Sequence, residues 1–193
     1  MDALDENRYS DSQIQKLCKT FELCPKVPGL IVEIGLLGGE STYGLANKIY
    51  PEILTSIYRK EEGESDVDLS LLQNYKEYNE DCLTWLAKEE PIKSSYHNNN
   101  KFETIIKSSS EPIISNGIKF AHVATYHGYE KFKMTIELLL KRIIPGGIIC
   151  GDYFHIAGLN NEDVYCKTIK TMVELLPGHH FVGSFWYWIK PDE

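Results

Sequence analysis

From Val32 to Thr42 the chain reads Val-Glu-Ile-Gly-Leu-Leu-Gly-Gly-Glu-Ser-Thr, an apolar run that breaks into glycines and then into residues suited to a helix start. Glycine admits positive φ and lets a ligand approach the backbone, and a helix amino end offers N–H groups without partners inside the helix. Gly35, Gly38, Gly39, Ser41 and Thr42 therefore make a candidate binding turn for a nucleotide-like molecule. The glycines fit neither the phosphate-loop pattern nor Gly-x-Gly-x-x-Gly, which also argues against a nicotinamide-dependent reductase. A merely tight strand-to-helix turn is the plain alternative. Glu33 sharpens the reading, because an unpaired buried carboxylate costs several kcal/mol; it is expected at the strand end, facing backbone or ligand donors. An imidazole such as that of His127 suits the role of a base at cellular pH, although capping a helix or bonding Tyr129 would also explain it. Asp152 could orient that imidazole or a substrate, or simply cap a loop. His179 and His180 follow Pro177-Gly178 with no third ligand nearby in sequence and are expected in an exposed turn. Trp186 and Trp188 alternate onto one strand face, which suits core packing more than a stacking platform.

The elements that would position these residues alternate along the chain. Ser10 to Gln13 is a capping-box pattern, and Ile14, Leu17, Cys18 and Phe21 follow on one helical face that ends near Cys24-Pro25. Residues 1–28 are read as a helical arm packed on one α/β domain, residues 29–193. Leu30 to Gly35 predicts a buried parallel strand, Ser41-Thr42 predicts the cap of a helix running to about Lys48, and Ile53 to Tyr58 predicts a second strand. Lys60 to Asp68 is a charged run expected in a surface loop. The spacing of Leu71, Tyr75, Tyr78, Cys82 and Leu86 predicts a helix that stops before Pro91. Phe102–Lys107 and Ile118–Ala124 are strand candidates. Phe132, Ile136, Leu139, Leu140 and Ile143 share a helical stripe that Pro145-Gly-Gly147 ends, and Ile148–Cys150 is another buried strand. A helix from about Glu162 turns Tyr165, Ile169, Met172, Val173 and Leu176 inward, and Phe181–Ile189 completes the sheet. The whole predicts an α/β fold: a doubly wound, mostly parallel sheet with helices on both faces and an antiparallel C-terminal strand, its ligand outside the carboxyl ends of the strands.

The glycine turn resembles the first motif of class I S-adenosylmethionine-dependent methyltransferases, Glu-Ile-Gly-x-x-x-Gly-x-Ser-Thr. The likeness continues through His127-Gly-Tyr-Glu130, a helix, and Leu140-Lys-Arg-Ile-Ile-Pro-Gly-Gly-Ile-Ile-Cys-Gly-Asp-Tyr153, to Ser184-Phe-Trp-Tyr-Trp-Ile-Lys190. These segments resemble the small-molecule O-methyltransferases that include the macrocin and mycinamicin sugar enzymes. The resemblance implies a Rossmann-like methyltransferase fold, S-adenosylmethionine as cofactor and a small-molecule acceptor, with a sugar or glycan as its class. It further implies a cofactor site over Glu33, Gly35, Gly38, Gly39, Ser41 and Thr42, bordered by Tyr58, Ser109, Ser110 and Ala124. His127 aligns with the general base, and Asp152 lies beside it.

The departures from that family fall on acidic positions. Tyr58 stands where a carboxylate would accept ribose hydroxyls, and Ser109 stands where an Asp would face the adenine. Ala124 and Gly151 replace two residues of the cluster that binds magnesium in metal-dependent members, leaving Asp152. A divalent magnesium ion prefers several oxygen ligands, so no essential metal is expected. Four altered acidic positions also raise an alternative, a binding or scaffold protein that keeps the fold and has lost catalysis.

Composition frames both readings. The 193 residues suit one domain with a sizeable core, and 20 Lys plus Arg against 28 Asp plus Glu give a net charge of −8, which disfavours nucleic acid as partner. No run is long and apolar enough for a bilayer, the start lacks a leader pattern, and five spread cysteines suggest reduced thiols. A cytoplasmic protein, away from membranes and capable of homo-oligomer formation, is the resulting expectation.

Overall fold

The computed structural model describes residues 11–36, 39–59, 69–88, 117–124, 129–152, 162–182 and 185–192, with the backbone alone for 11, 152 and 162–168. The strands are β1 (Leu30–Ile34), β2 (Leu54–Tyr58), β3 (Tyr75–Asn79), β4 (Ile118–Val123), β5 (Ile143–Asp152), β6 (His180–Val182) and β7 (Phe185–Ile189). The helices are α1 (Asp11–Glu22), α2 (Glu40–Ile49), α3 (Cys82–Ala87), α4 (Tyr129–Arg142) and α5 (Glu162–Leu175). The strands form a seven-stranded sheet in the order β3-β2-β1-β4-β5-β7-β6. Pairing is parallel from β3 to β5 and antiparallel at β7 and β6. This is the doubly wound sheet with an antiparallel C-terminal end that the sequence pattern predicts. Among the described residues no helix is long and apolar enough to cross a membrane.

The central strands β2 and β4 are buried along their whole length, as parallel strands covered on both faces must be. One face carries Ile31, Leu54, Phe120, Ile148 and Phe185 against Leu17 of α1 and Leu45, Ala46 and Ile49 of α2. Phe21 meets Phe120 edge to face at 5.3 Å between ring centroids. Helices α1 and α2 touch closely at Gly44, where a β-carbon would lie 2.5 Å from Ile14 Cγ2. The other face packs Val32, Ile34, Ile57, Ala121, Val123 and Ile149 with Trp186 and Trp188 under α3, α4 and Met172 of α5. The two tryptophans thus share one face and pack in the core, as their alternation predicts.

Several local expectations are corrected. The helix expected over Leu71–Leu86 is a short 3-10 turn at Leu69–Leu71, then β3, then α3. Tyr75 and Tyr78 sit three apart, an odd spacing that a strand sends to opposite faces. Tyr75 packs with the α2-side core and Tyr78 with the α3-side core. Leu71 is 75% exposed. Helix α3 begins instead at Asp81, whose side chain accepts from the N–H of Leu83 at 3.0 Å and of Thr84 at 3.2 Å. Ile143 belongs to β5 rather than to the helical stripe before it, and Pro145-Gly-Gly147 lies within that strand, with Gly146 at φ 70°. Met172 of α5 and Leu176 just after it are buried, but Val173 is 57% exposed and faces outward. The strand candidate Phe102–Lys107 and the charged run Lys60–Asp68 lie outside the described residues.

Candidate functional site

The chain leaves β1 toward β2 on one side of the sheet, while β4 lies on the other side of β1, so the order reverses between β1 and β4. In open α/β sheets this switch point opens a crevice at the carboxyl ends of the strands. Gly35, the residue after β1, has φ 92°, and its N–H donates to the Ile57 carbonyl at 2.8 Å. Gly39 has φ 89° and forms the N-cap of α2. Both conformations lie in the left-handed region that glycine alone enters without a side-chain penalty. Across the crevice, the Ala124 N–H donates to the Ile34 carbonyl at 2.9 Å, which joins the ends of β1 and β4.

Ser41 and Thr42 do not cap α2, because Gly39 already occupies the N-cap without any side-chain cap bond. Their hydroxyls point into the protein, to Glu33. Ser41 Oγ donates to Glu33 Oε1 at 3.0 Å and Thr42 Oγ1 donates to Oε2 at 2.6 Å. Ser56 Oγ of β2 donates to Oε2 at 2.9 Å, and His122 Nδ1 of β4 stands 3.0 Å from Oε1. Register explains the convergence: Glu33 is the direct neighbour of Ser56 on β2 and of His122 on β4, so all three side chains leave the same face of the sheet. Each Glu33 oxygen has two polar partners, which offsets the cost of burying the group. Glu33, Ser41, Ser56 and His122 are all 0% exposed. The expectation that Glu33 meets backbone or ligand donors at the strand end is therefore corrected. It sits one residue inside the end of β1, closed in by side chains.

Ser56 and His122 were not among the sequence candidates. The signal was weak: Ser56 follows Thr55 in β2 and His122 shares β4 with Lys119, whereas Glu33 stands alone in an apolar run. The row continues to Cys150 on β5, the register neighbour of His122. Burial pushes the Cys150 thiol well above its ordinary titration range.

Tyr58 ends β2 and packs with Leu36 and Leu69. Its hydroxyl donates to Glu77 Oε2 of β3 at 2.7 Å. Burial first, and then the Glu77 carboxylate, raise the phenol above its usual range. The Tyr58 side chain thus ends on a carboxylate of the neighbouring strand, a partner that sequence spacing does not reveal. Ala124 is fully buried. At Gly151 a β-carbon would lie 2.8 Å from Trp186 Cζ2 and 2.9 Å from the Val123 carbonyl oxygen, so no carboxylate fits there without displacing the indole. Among the described residues, no group of three or more His, Cys, Asp or Glu could hold a metal ion. Asp152 closes β5 opposite Phe185, and its backbone alone is described. His127, Gly38, Ser109 and Ser110 lie outside the described residues. His179 and His180 sit beside the far edge strand, His179 against the Phe181 ring at 4.8 Å and His180 stacked on Tyr187 at 4.9 Å.

No family model matches the chain, and no curated protein does. Solved structures do. An O-methyltransferase from Bacillus cereus in complex with SAH superposes with a TM-score of 0.59 at 18% identity, over 95% of this chain and 83% of that one. The O-methyltransferase TomG from Streptomyces achromogenes, in complex with SAM, gives 0.57 at 16% identity over 97% and 83%. CalS11, a TDP-rhamnose 3'-O-methyltransferase, gives 0.56 at 13% identity over 95% and 82%. The chain shares the fold of these proteins. At these identities the likeness is one of architecture, and it puts the left-handed glycines of this chain at the switch point of that architecture.

Proposed function

We propose that the protein is an S-adenosylmethionine-dependent O-methyltransferase acting on a hydroxyl of a small molecule, with a sugar as the acceptor class. The observation that carries this reading is the pair of left-handed glycines, Gly35 after β1 and Gly39 before α2, at the switch point of the sheet. The turn fits the cofactor. Gly35 and Gly39 present backbone without side chains, and the first turn of α2 directs N–H groups toward the crevice. Because the hydroxyls of Ser41 and Thr42 are spent on Glu33, these residues serve the cofactor through their backbone, and Glu33 serves it by holding them. The resemblance assigns Gly38 to the same site. On the adenosine side, Tyr58 with its Glu77 partner offers polar groups to the ribose, and Ser109, Ser110 and Ala124 border the adenine.

When bound, S-adenosylmethionine supplies an electrophilic methyl carbon on a sulfonium. The protein's part is to align the acceptor oxygen with that carbon and to remove the hydroxyl proton, which we assign to His127 with Asp152 orienting it or the substrate. The resemblance to the macrocin and mycinamicin sugar enzymes supports both assignments and the sugar class. Ala124 and the closed space at Gly151 support turnover without an essential metal.

The same two positions favour a second reading, a binding protein that keeps the fold without catalysis. Calorimetry with S-adenosylmethionine and S-adenosylhomocysteine, followed by methyl-transfer assays on a panel of sugar acceptors, separates the two. Absence of binding at millimolar cofactor removes the enzyme reading; binding and turnover that survive EDTA, and that fall sharply in His127→Ala with cofactor affinity kept, establish it.

A further inference from the structure

A buried ionised carboxylate needs donors on both oxygens, and Glu33 draws one of its four from outside the β1-β2-α2 unit. That donor is His122, which comes from β4, the strand on the other side of the switch point. We infer that His122 is a positioning residue for the cofactor turn, acting through Glu33 on the first turn of α2. The inference rests on the cofactor reading above and deepens it.

The physical sequence is short. With Glu33 ionised, His122 Nδ1–H donates to Oε1, the oxygen that also receives Ser41. Removing the imidazole leaves that oxygen with Ser41 as its partner among the described residues, at a fully buried position. The carboxyl group is then held less firmly on that side and rotates toward its remaining partners, which strains its bonds to the surrounding hydroxyls. Two of those hydroxyls, Ser41 and Thr42, are the anchors of the α2 amino end, where Tyr43 N–H meets the Gly39 carbonyl at 2.8 Å. The amino end shifts, and the backbone donors next to Gly39 move with it. The imidazole is fully buried, so it acts on a ligand through its neighbours rather than by touching it.

Two variants and one measurement on the unaltered protein test this. His122→Leu fills the space without a donor, and His122→Asn places an amide N–H close to where Nδ1 stands. Calorimetry with S-adenosylhomocysteine is expected to show Kd raised at least about tenfold in His122→Leu and within about threefold of the unaltered protein in His122→Asn. At saturating cofactor, kcat is expected to change by less than about threefold in both, since the relay ends at the cofactor turn. In the unaltered protein, the His122 imidazole nitrogen resonances are expected to shift on saturation with S-adenosylhomocysteine, a readout that needs no variant to fold. A lowered Tm in His122→Leu with Kd unchanged, or imidazole resonances indifferent to the ligand, would overturn the inference and leave the cofactor reading standing. Failure of the unaltered protein to bind S-adenosylhomocysteine would instead remove the cofactor reading, and this inference with it.

Discussion

The two faces of one sheet use the same strands for different ends. On the α3-α4-α5 side, Val32, Ile34, Ile57, Val123 and Ile149 meet Trp186, Trp188 and apolar helix residues, and the layer is held by packing. On the α1-α2 side, the same strands carry an apolar row at one level and Ser56, Glu33, His122 and Cys150 at the next, beneath the glycine turn. Alternation along a strand lets each face be chosen separately. Burial that stabilises the domain is concentrated on the first face. Hydrogen-bonded charge, which contributes little net stability but strict geometry, lies on the second, where the turn needs holding.

That contrast can be broken from either side. Trp186→Ala, at a position 1% exposed, is expected to cost about 3–5 kcal/mol in urea unfolding while leaving S-adenosylhomocysteine affinity of the folded fraction unchanged. Loss of affinity without loss of stability would reverse the assignment of the faces. Glu33→Gln keeps the shape but turns an amide N–H₂ toward donors, and is expected to cost about 1–3 kcal/mol together with a loss of cofactor affinity larger than in any variant of the tryptophan face. An unchanged Kd in that variant would mean the polar row is packing by other means.

Asp81→Ala removes the cap of α3 on the packing face and is expected to cost about 1 kcal/mol, with cofactor affinity unchanged. Burial tends to raise the Asp81 carboxyl, and bonds from Lys131 at 3.1 Å and from the Thr84 and Leu83 N–H groups overcome it, so its titration is lowered. Its contribution is present above the unfolded carboxyl range and is lost as pH falls through the lowered value, which acid titration of Tm checks against Asp81→Ala. The smallest effect is on the thiol side. Burial pushes Cys24 up to about 11, so the stability it contributes is complete below its ordinary range and is lost as pH rises toward that value. A thiolate absorbance signal from Cys24 at pH 9 in the folded protein would contradict this.

Much of the fold was legible because its signals are local. The run Leu30–Ile34 followed by Gly35 reads as a buried strand and a turn, and the stripe Phe132, Ile136 and Leu139 reads as a helix, since each pattern is complete within one element. The segment from Leu69 to Ala87 was misread for the same reason. An edge strand and a short helix in succession imitate one long helical stripe, and Tyr75 and Tyr78 separate only when β2 pairs with β3. At the site, Gly35 and Gly39 were legible as turn glycines. The roles of Ser41 and Thr42 were not, because a hydroxyl at a helix start reads equally as a cap or as an inward anchor until its acceptor is known.

The sequence by itself determined the alternating α/β order and the glycines that follow β1. Tertiary structure alone decided what surrounds Glu33, Tyr58 and Gly151. Strand register brings His122 and Ser56 beside Glu33, the β2-β3 pair supplies Glu77 to Tyr58, and Trp186 fills the space at Gly151. The physical reason is that a charge is satisfied by whatever donor stands about 3 Å away, and neighbours across a parallel sheet are set by crossovers many residues long.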